Sequence, residues 1–101
     1  MALSKINPTN LSSWAKLDKK FKAECNNHIS TFFEESDRLE KFTTSWKDFY
    51  LDFSKNRLSS SSFKLLLDLC GETDLKNNIE KYFNGSIINE TEKRAVLHTT
   101  L

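Results

Sequence analysis

The sequence contains few of the residues that build turns, metal sites and disulfide frameworks. Its 101 residues include two glycines, one proline, two cysteines and two histidines. Cys25 and Cys70 are far apart in the chain, and neither lies in a C-x-x-C motif. The pattern therefore indicates neither a zinc site nor a disulfide framework, and it predicts two buried or half-buried free thiols. We expect no metal and no cofactor.

Long apolar runs and an excess of one charge are also missing. No apolar run approaches the roughly 18 residues that a membrane span requires, and the N-terminus has no long apolar stretch of the kind found in signal peptides. Fifteen Lys and Arg residues against 14 Asp and Glu residues give a net charge of +1. This balance lacks the excess of positive charge that is typical of a nucleic-acid-binding protein, and it gives no support for binding to an anionic membrane. We expect a cytoplasmic protein without nucleic-acid or membrane partners.

Large apolar side chains, in contrast, are plentiful. Hydrophobic residues make up 38% of the chain, and eight Phe, two Trp and two Tyr account for about a third of them. Such a composition is typical of a folded chain rather than a disordered one. The length corresponds to one small unit, and neither an internal repeat nor a linker divides it.

Apolar side chains at helical spacing predict three main helices. The first would be capped by Thr9 or Asn10, the second by Ser59 or Ser60 and the third by Thr73 or Asp74. The second should end with Gly71 at its C′ position, and the third at Asn84-Gly85. The apolar positions of the first helix are Leu11, Trp14, Leu17, Phe21 and Cys25, and those of the second are Phe63, Leu66, Leu67 and Cys70. Leu66 and Leu67 are predicted to be the best-buried pair in the chain.

Between the first two helices the apolar period shortens. Short helical turns are expected around residues 29–33 and 36–42. From Phe42 to Phe53 apolar and polar residues alternate on both sides of Lys47-Asp48, which predicts a hairpin, with one continuous strand as the alternative. After Gly85 we expect an irregular tail, with apolar residues that the chain provides no surface to cover. The expected fold class is mainly α with a small β-hairpin, an α+β fragment of a longer protein.

The four serines from Ser59 to Ser62, followed by Lys64, form the first candidate site. Free amides and hydroxyls at a helix N-terminus bind anions, which suggests a phosphate site. The run has no glycine that would let a phosphate approach the backbone, so a helix cap formed by Ser59 or Ser60 is the favoured interpretation.

The remaining candidates for chemistry are the two histidines and one charged cluster. Neither His28 nor His98 lies beside a nucleophile and a carboxylate, and His98 is expected to be a packed, hydrogen-bonded side chain. Glu90, Glu92 and Arg94 suggest an acid–base set, but local charge pairing is the favoured interpretation. No catalytic, cofactor-binding or metal-binding residue is predicted.

Two segments carry a resemblance to a known family. One is Asp52-Phe53-Ser54-Lys55-Asn56-Arg57, followed by a leucine-rich helix. The other runs from Phe83 to His98 and includes Asn84-Gly85, Ile88-Asn89, Thr91-Glu92 and Arg94-Ala95-Val96-Leu97-His98. In this order and spacing they resemble the N-terminal part of glucose-6-phosphate isomerases. The chain departs from the usual pattern at Thr99-Thr100, where an alanine is common at the second position.

The resemblance implies that residues 1–101 are a single N-terminal segment of a longer enzyme, without a complete catalytic domain. That enzyme would have two α/β sugar-isomerase subdomains and no obligatory cofactor, and would act as a homodimer. It would interconvert glucose 6-phosphate and fructose 6-phosphate through a cis-enediol, in glycolysis and gluconeogenesis. The family's catalytic residues follow the segment that matches residues 91–98, so the resemblance places none of them here and implies an inactive fragment.

A stand-alone protein–protein interaction module is the alternative interpretation. In that case an exposed stripe formed by Leu11, Trp14 and Phe21 would bind a partner helix.

Overall fold

Helices and two small hairpins make up the structure. A computed structural model of the chain describes residue 3 and residues 5–98. A 3₁₀ turn at Pro8–Asn10 precedes the other elements, which follow in this order: α1 Ser12–Glu24, α2 Ile29–Phe32, α3 Arg38–Lys41, β1 Thr43–Trp46, β2 Phe49–Asp52, α4 Ser60–Glu72, α5 Leu75–Phe83, β3 Ile87–Asn89 and β4 Arg94–Ala95. The predicted class, mainly α with a small hairpin, is confirmed. Within the described part of the chain, every helix is too short or too polar to cross a membrane.

Strands β1 and β2 form the predicted hairpin. They pair antiparallel, with Thr43 opposite Asp52 and Trp46 opposite Phe49. Lys47 adopts a positive φ of 51° in the turn, which lets the chain reverse within two residues. The alternative of one continuous strand is therefore wrong.

The region after α5 is more ordered than expected. Gly85, with φ of 77°, takes the left-handed position that was predicted to end α5. Strands β3 and β4 then pair antiparallel, with a bulge between Ile87 and Asn89. The prediction of an irregular tail is wrong up to residue 98, and residues 99–101 lie outside the described residues.

Two predicted helix ends are also wrong. Asn7, rather than Thr9 or Asn10, caps the N-terminal turn, since its side chain accepts a hydrogen bond from the Thr9 amide at 3.1 Å. Helix α4 continues through Gly71 to Glu72, and Asp74, with φ of 58°, takes the left-handed position expected of Gly71. Asp74 precedes α5 without a side-chain capping bond, whereas the predicted Ser59 cap of α4 is confirmed.

The small aromatic core lies where the first hairpin meets α4. Phe42 is fully buried, and its ring lies 5.4 Å from that of Phe53 and 5.6 Å from that of Phe63. Leu66 and Leu67 are 39% and 55% exposed, so the prediction that they form the best-buried pair is wrong. Their helix packs mainly against α1 and less extensively against α5, and these contacts leave both leucines partly exposed.

Candidate functional site

Among the described residues, the largest fully buried side chains include a charged one, Arg38. It is 2% exposed, and its guanidinium donates hydrogen bonds to three backbone carbonyls. Nε reaches the carbonyl of Ser54 at 2.9 Å, Nη2 that of Asn56 at 2.9 Å and Nη1 that of Leu58 at 2.8 Å. The acceptors occur at every second residue, so the loop between β2 and α4 wraps around one planar donor.

Aromatic rings and a carboxylate surround the same guanidinium. Its central carbon lies 4.3 Å from the ring centroid of Phe42, 5.2 Å from that of Phe33 and 5.4 Å from that of Phe32. The Glu35 carboxylate approaches to 4.0 Å. Ring faces attract cations, and carbonyl oxygens carry partial negative charge, so these groups together compensate the buried positive charge.

Asp52, the last residue of β2, and the loop residues 53–58 are together termed the Arg38 loop, which also connects to α1. The buried Ser54 donates its backbone N–H to the Asp52 carboxylate at 2.9 Å, and hydrogen bonds from Ser54 lower the pKa of Asp52. Arg57 Nη2 donates to the carbonyls of Cys25 and Asn27 at 2.5 and 2.8 Å. Because carbonyls at a helix C-terminus lack partners within the helix, Arg57 closes the end of α1.

Each of the two long helices ends on a glutamate that reaches the first turn of the other. Glu24, the last residue of α1, accepts hydrogen bonds at 3.0 Å from the hydroxyls of Ser59 and Ser62 at the start of α4. Glu72, the last residue of α4, accepts from the Ser12 hydroxyl at 2.6 Å and from the Ser13 amide at 3.3 Å. We call these two contacts the carboxylate clasps. They hold α1 and α4 antiparallel at both ends.

Both clasps favour the charged carboxylate. Burial raises the pKa of Glu24, but hydrogen bonds from Lys20, Ser62 and Ser59 outweigh it and hold that pKa below its ordinary value. For Glu72 the hydrogen bond from Ser12 is the main cause of a lowered pKa, and it outweighs desolvation. Each negative charge also lies at the positive end of the neighbouring helix dipole.

The serines from Ser59 to Ser62 cap α4 and form hydrogen bonds to the protein's own carboxylates. Ser59 accepts a hydrogen bond from the Ser62 amide at 3.1 Å, and Ser60 donates to the Glu35 carboxylate at 2.9 Å. Lys64 pairs with Asp68 on the same helix at 3.0 Å. The protein's own carboxylates take the place where an anion would bind, so the cap interpretation is confirmed and the phosphate hypothesis has no support.

The second charged cluster forms ion pairs. Arg94 pairs with Glu92, which confirms local charge pairing for these two residues. Glu90 instead lies 3.5 Å from Lys5, which is far from it in the sequence. His28 caps α2, where its Nδ1 accepts a hydrogen bond from the Ser30 amide at 3.2 Å. His98 is exposed, so its prediction as a packed side chain is wrong in this structure.

The two thiols lie apart from any ligand cluster. Cys25 and Cys70 are free and half-buried, as predicted. Among residue 3 and residues 5–98, no three side chains of the types His, Cys, Asp and Glu lie close enough together to hold a metal ion.

Sequence reasoning missed the role of Arg38. The available signal was its position in a short segment rich in apolar residues, between Phe32-Phe33 and Phe42. An arginine there has aromatic side chains within reach on both sides. The sequence does not reveal, however, that the carbonyls of a loop 16 to 20 residues further on close around it.

Several charged side chains in the described part of the chain join one element to another. They are Arg38, Arg57, Glu24 and Glu72, and each binds backbone groups or serines of another element. Their positions are therefore set by structural contacts, and the segment presents large apolar surfaces beside them.

Comparison with known proteins identifies the family. The model of the phosphoglucose isomerase family matches residues 52–101, from the first residue of the Arg38 loop onward. Over 100 residues, 98% of the chain, the sequence is 45% identical to a protein named glucose-6-phosphate isomerase from Christiangramia forsetii. The chain belongs to the phosphoglucose isomerase family. It spans 18% of the length of this curated relative.

Proposed function

We propose that the chain is the N-terminal segment of a glucose-6-phosphate isomerase. The complete enzyme would be a cytoplasmic homodimer that interconverts glucose 6-phosphate and fructose 6-phosphate in glycolysis and gluconeogenesis. The observation that carries the proposal is the identity to the Christiangramia forsetii protein, which extends over nearly the whole chain. A stand-alone interaction module gives no reason for such a match.

Within that enzyme the segment would serve as scaffold. Enediol chemistry needs a base near the sugar carbon, a group that assists ring opening and a cation or amide for the developing charge. Arg38 and Arg57 are committed to backbone carbonyls, and Glu24 and Glu72 to helix ends. We therefore assign acid–base catalysis and binding of the sugar phosphate to residues outside this segment.

A chimeric enzyme tests the proposal. The 101 residues would replace the matching segment of the Christiangramia forsetii protein, and a coupled assay would follow conversion of fructose 6-phosphate to glucose 6-phosphate. We expect turnover by the chimera and none by the 101-residue chain alone, because the chain lacks the acid–base groups. The matched control is the relative with the segment deleted, which should be inactive.

Two results would contradict the proposal. Turnover by the purified 101-residue chain, above a mock-purified control, would show that the segment carries its own catalytic groups. A folded chimera without turnover would show that the chain does not substitute for the isomerase segment.

A further inference from the structure

An apolar groove runs between α1 and α4. Two adjoining cavities of about 270 and 280 Å³ share Leu17, Phe21 and Leu66 as lining residues. Trp14 lines one end of the groove. Cys25 lines the other end, where the rim is polar and is formed by Lys20, Glu24, Arg57 and Ser62. Phe21 is 67% exposed, which is a large apolar surface for a side chain that lines a concavity.

The groove is held open by the contacts at its ends. The carboxylate clasps join the first turn of each helix to the last residue of the other. Both helices have 13 residues, about 20 Å at 1.5 Å per residue, so the groove is long enough for about three turns of a docked helix. A groove that is already formed binds its occupant without the cost of ordering the site.

We propose that this groove is the docking surface for an apolar segment from the remainder of the isomerase chain. The inference rests on the proposed function. The chain spans 18% of its relative's length, so in the complete enzyme proposed above a large body of protein would be available to fill the groove. A segment tethered in this way has a high effective concentration, which favours it over a second copy of the chain.

The shape of the segment also supports docking against the rest of the same chain. Its radius of gyration is 17.3 Å, whereas a compact domain of about 100 residues has about 13 Å. It is only 17 Å thick along its shortest axis and 48 Å along its longest. Such a flat segment is suited to lie against a larger body, with the exposed apolar side chains of the groove at the contact.

Cys25 is a natural reporter of the occupant. It lines the groove and is half-buried in the segment alone. With Cys70→Ser as background, alkylation of Cys25 would be measured by peptide-resolved mass spectrometry in the 101-residue chain and in the chimera. We expect the rate at Cys25 to fall at least about tenfold in the chimera, because a covered thiol reacts only after local opening. The control thiol is Ser45→Cys, at an exposed position in the hairpin β1–β2, measured in the same two proteins.

The possible outcomes distinguish failure of the docking inference from failure of the proposed function. Equal labelling of Cys25 in the chain and in the folded chimera would overturn the docking inference. Concentration-dependent protection in the 101-residue chain, together with a dimeric mass, would also overturn it, since a second copy would then fill the groove. Protection of Cys25 in a folded chimera that lacks turnover would support the docking inference and count against the proposed function alone.

Discussion

At the scale of single residues, Arg38 acts as an internal ligand for the backbone. Its three acceptors belong to one loop, and its counter-charges are aromatic faces and a carboxylate at 4.0 Å. A guanidinium presents donors in a fixed planar fork, whereas a lysine ammonium is a point charge on a flexible stem. Arginine is thus the side chain whose planar fork can donate to three carbonyls at once.

The substitution Arg38→Lys tests this role. We expect it to lower the free energy of unfolding by about 2 to 5 kcal/mol, because it leaves buried carbonyls without a donor. Urea unfolding of the 101-residue chain, followed by tryptophan fluorescence, measures the effect. Arg94→Lys is the control, since this exposed arginine pairs with Glu92 at the surface and its replacement should give no resolvable shift. An unchanged midpoint for Arg38→Lys would show that the three hydrogen bonds contribute nothing specific to arginine.

At the scale of elements, α4 has a local side-chain cap in Ser59, whereas α1 is capped by a neighbouring helix. Leu11 precedes α1 and cannot cap it with its side chain. Glu72 supplies the missing acceptor from the end of α4. A helix that depends on another helix for its first turn gains this stabilisation only after the two have packed.

This arrangement predicts loss of stability in acid. The lowered pKa values of Glu24 and Glu72 mean that the unfolded chain binds more protons than the folded chain near pH 4.5, the ordinary pKa of a glutamate. The stabilisation is therefore complete above pH 4.5 and is lost as the pH falls through the lowered folded-state values. We expect the variant with Glu24→Gln and Glu72→Gln to show a smaller drop in its urea midpoint between pH 7 and pH 3.5. Glu34→Gln, at an exposed position, is the control; a pH dependence unchanged in the double variant would rule out the clasps as its source.

The sequence pattern predicted those features of the fold that are set by residues close together in the sequence. The hairpin at Lys47, the Ser59 cap and the left-handed Gly85 all follow from short-range periodicity and turn chemistry. The end of α4 did not, because a left-handed Asp74 three residues beyond Gly71 competes for the same role. The exposure of Leu66 depends on which face of α4 has a neighbour, and the sequence pattern shows only that the face is apolar. The link between Arg38 and its loop is a long-range contact without any periodic signal.

At the scale of the whole molecule, the segment has more apolar surface than its own residues can cover. Among the described residues, Phe32 and Phe42 are the buried hydrophobic side chains, while aromatic residues such as Trp46 and Phe49 are 65% and 70% exposed. Buried apolar area is the main favourable contribution to folding. The isolated chain should therefore have a small free energy of unfolding. The free energy of local opening should differ between segments, according to how many contacts each segment makes.

Hydrogen exchange measures that variation directly. We expect amides from Ile87 to His98 to exchange faster than those from Phe63 to Cys70 in the isolated chain. The reason is that β3 and β4 form a short, bulged pair, whereas α4 is fixed by the clasps and by α1. In the chimera, protection of residues 87–98 should rise. Equal protection of both regions in the isolated chain would show that the last hairpin is anchored within the segment itself.

The reciprocal clasps also couple the lengths of two helices that lie far apart in the sequence. Glu24 and Glu72 each accept hydrogen bonds from donors at the start of the other helix, and both contacts form between helices of equal length, 13 residues each. Deleting one residue would move a terminal carboxylate by about 1.5 Å along the axis and rotate it by about 100°. A deletion in α1 alone would therefore misalign the Glu24 contact while the α4 side of the pair kept its register. Natural variation in this segment should accordingly insert or delete residues in the turn at Lys47-Asp48, and change the length of α1 only together with that of α4.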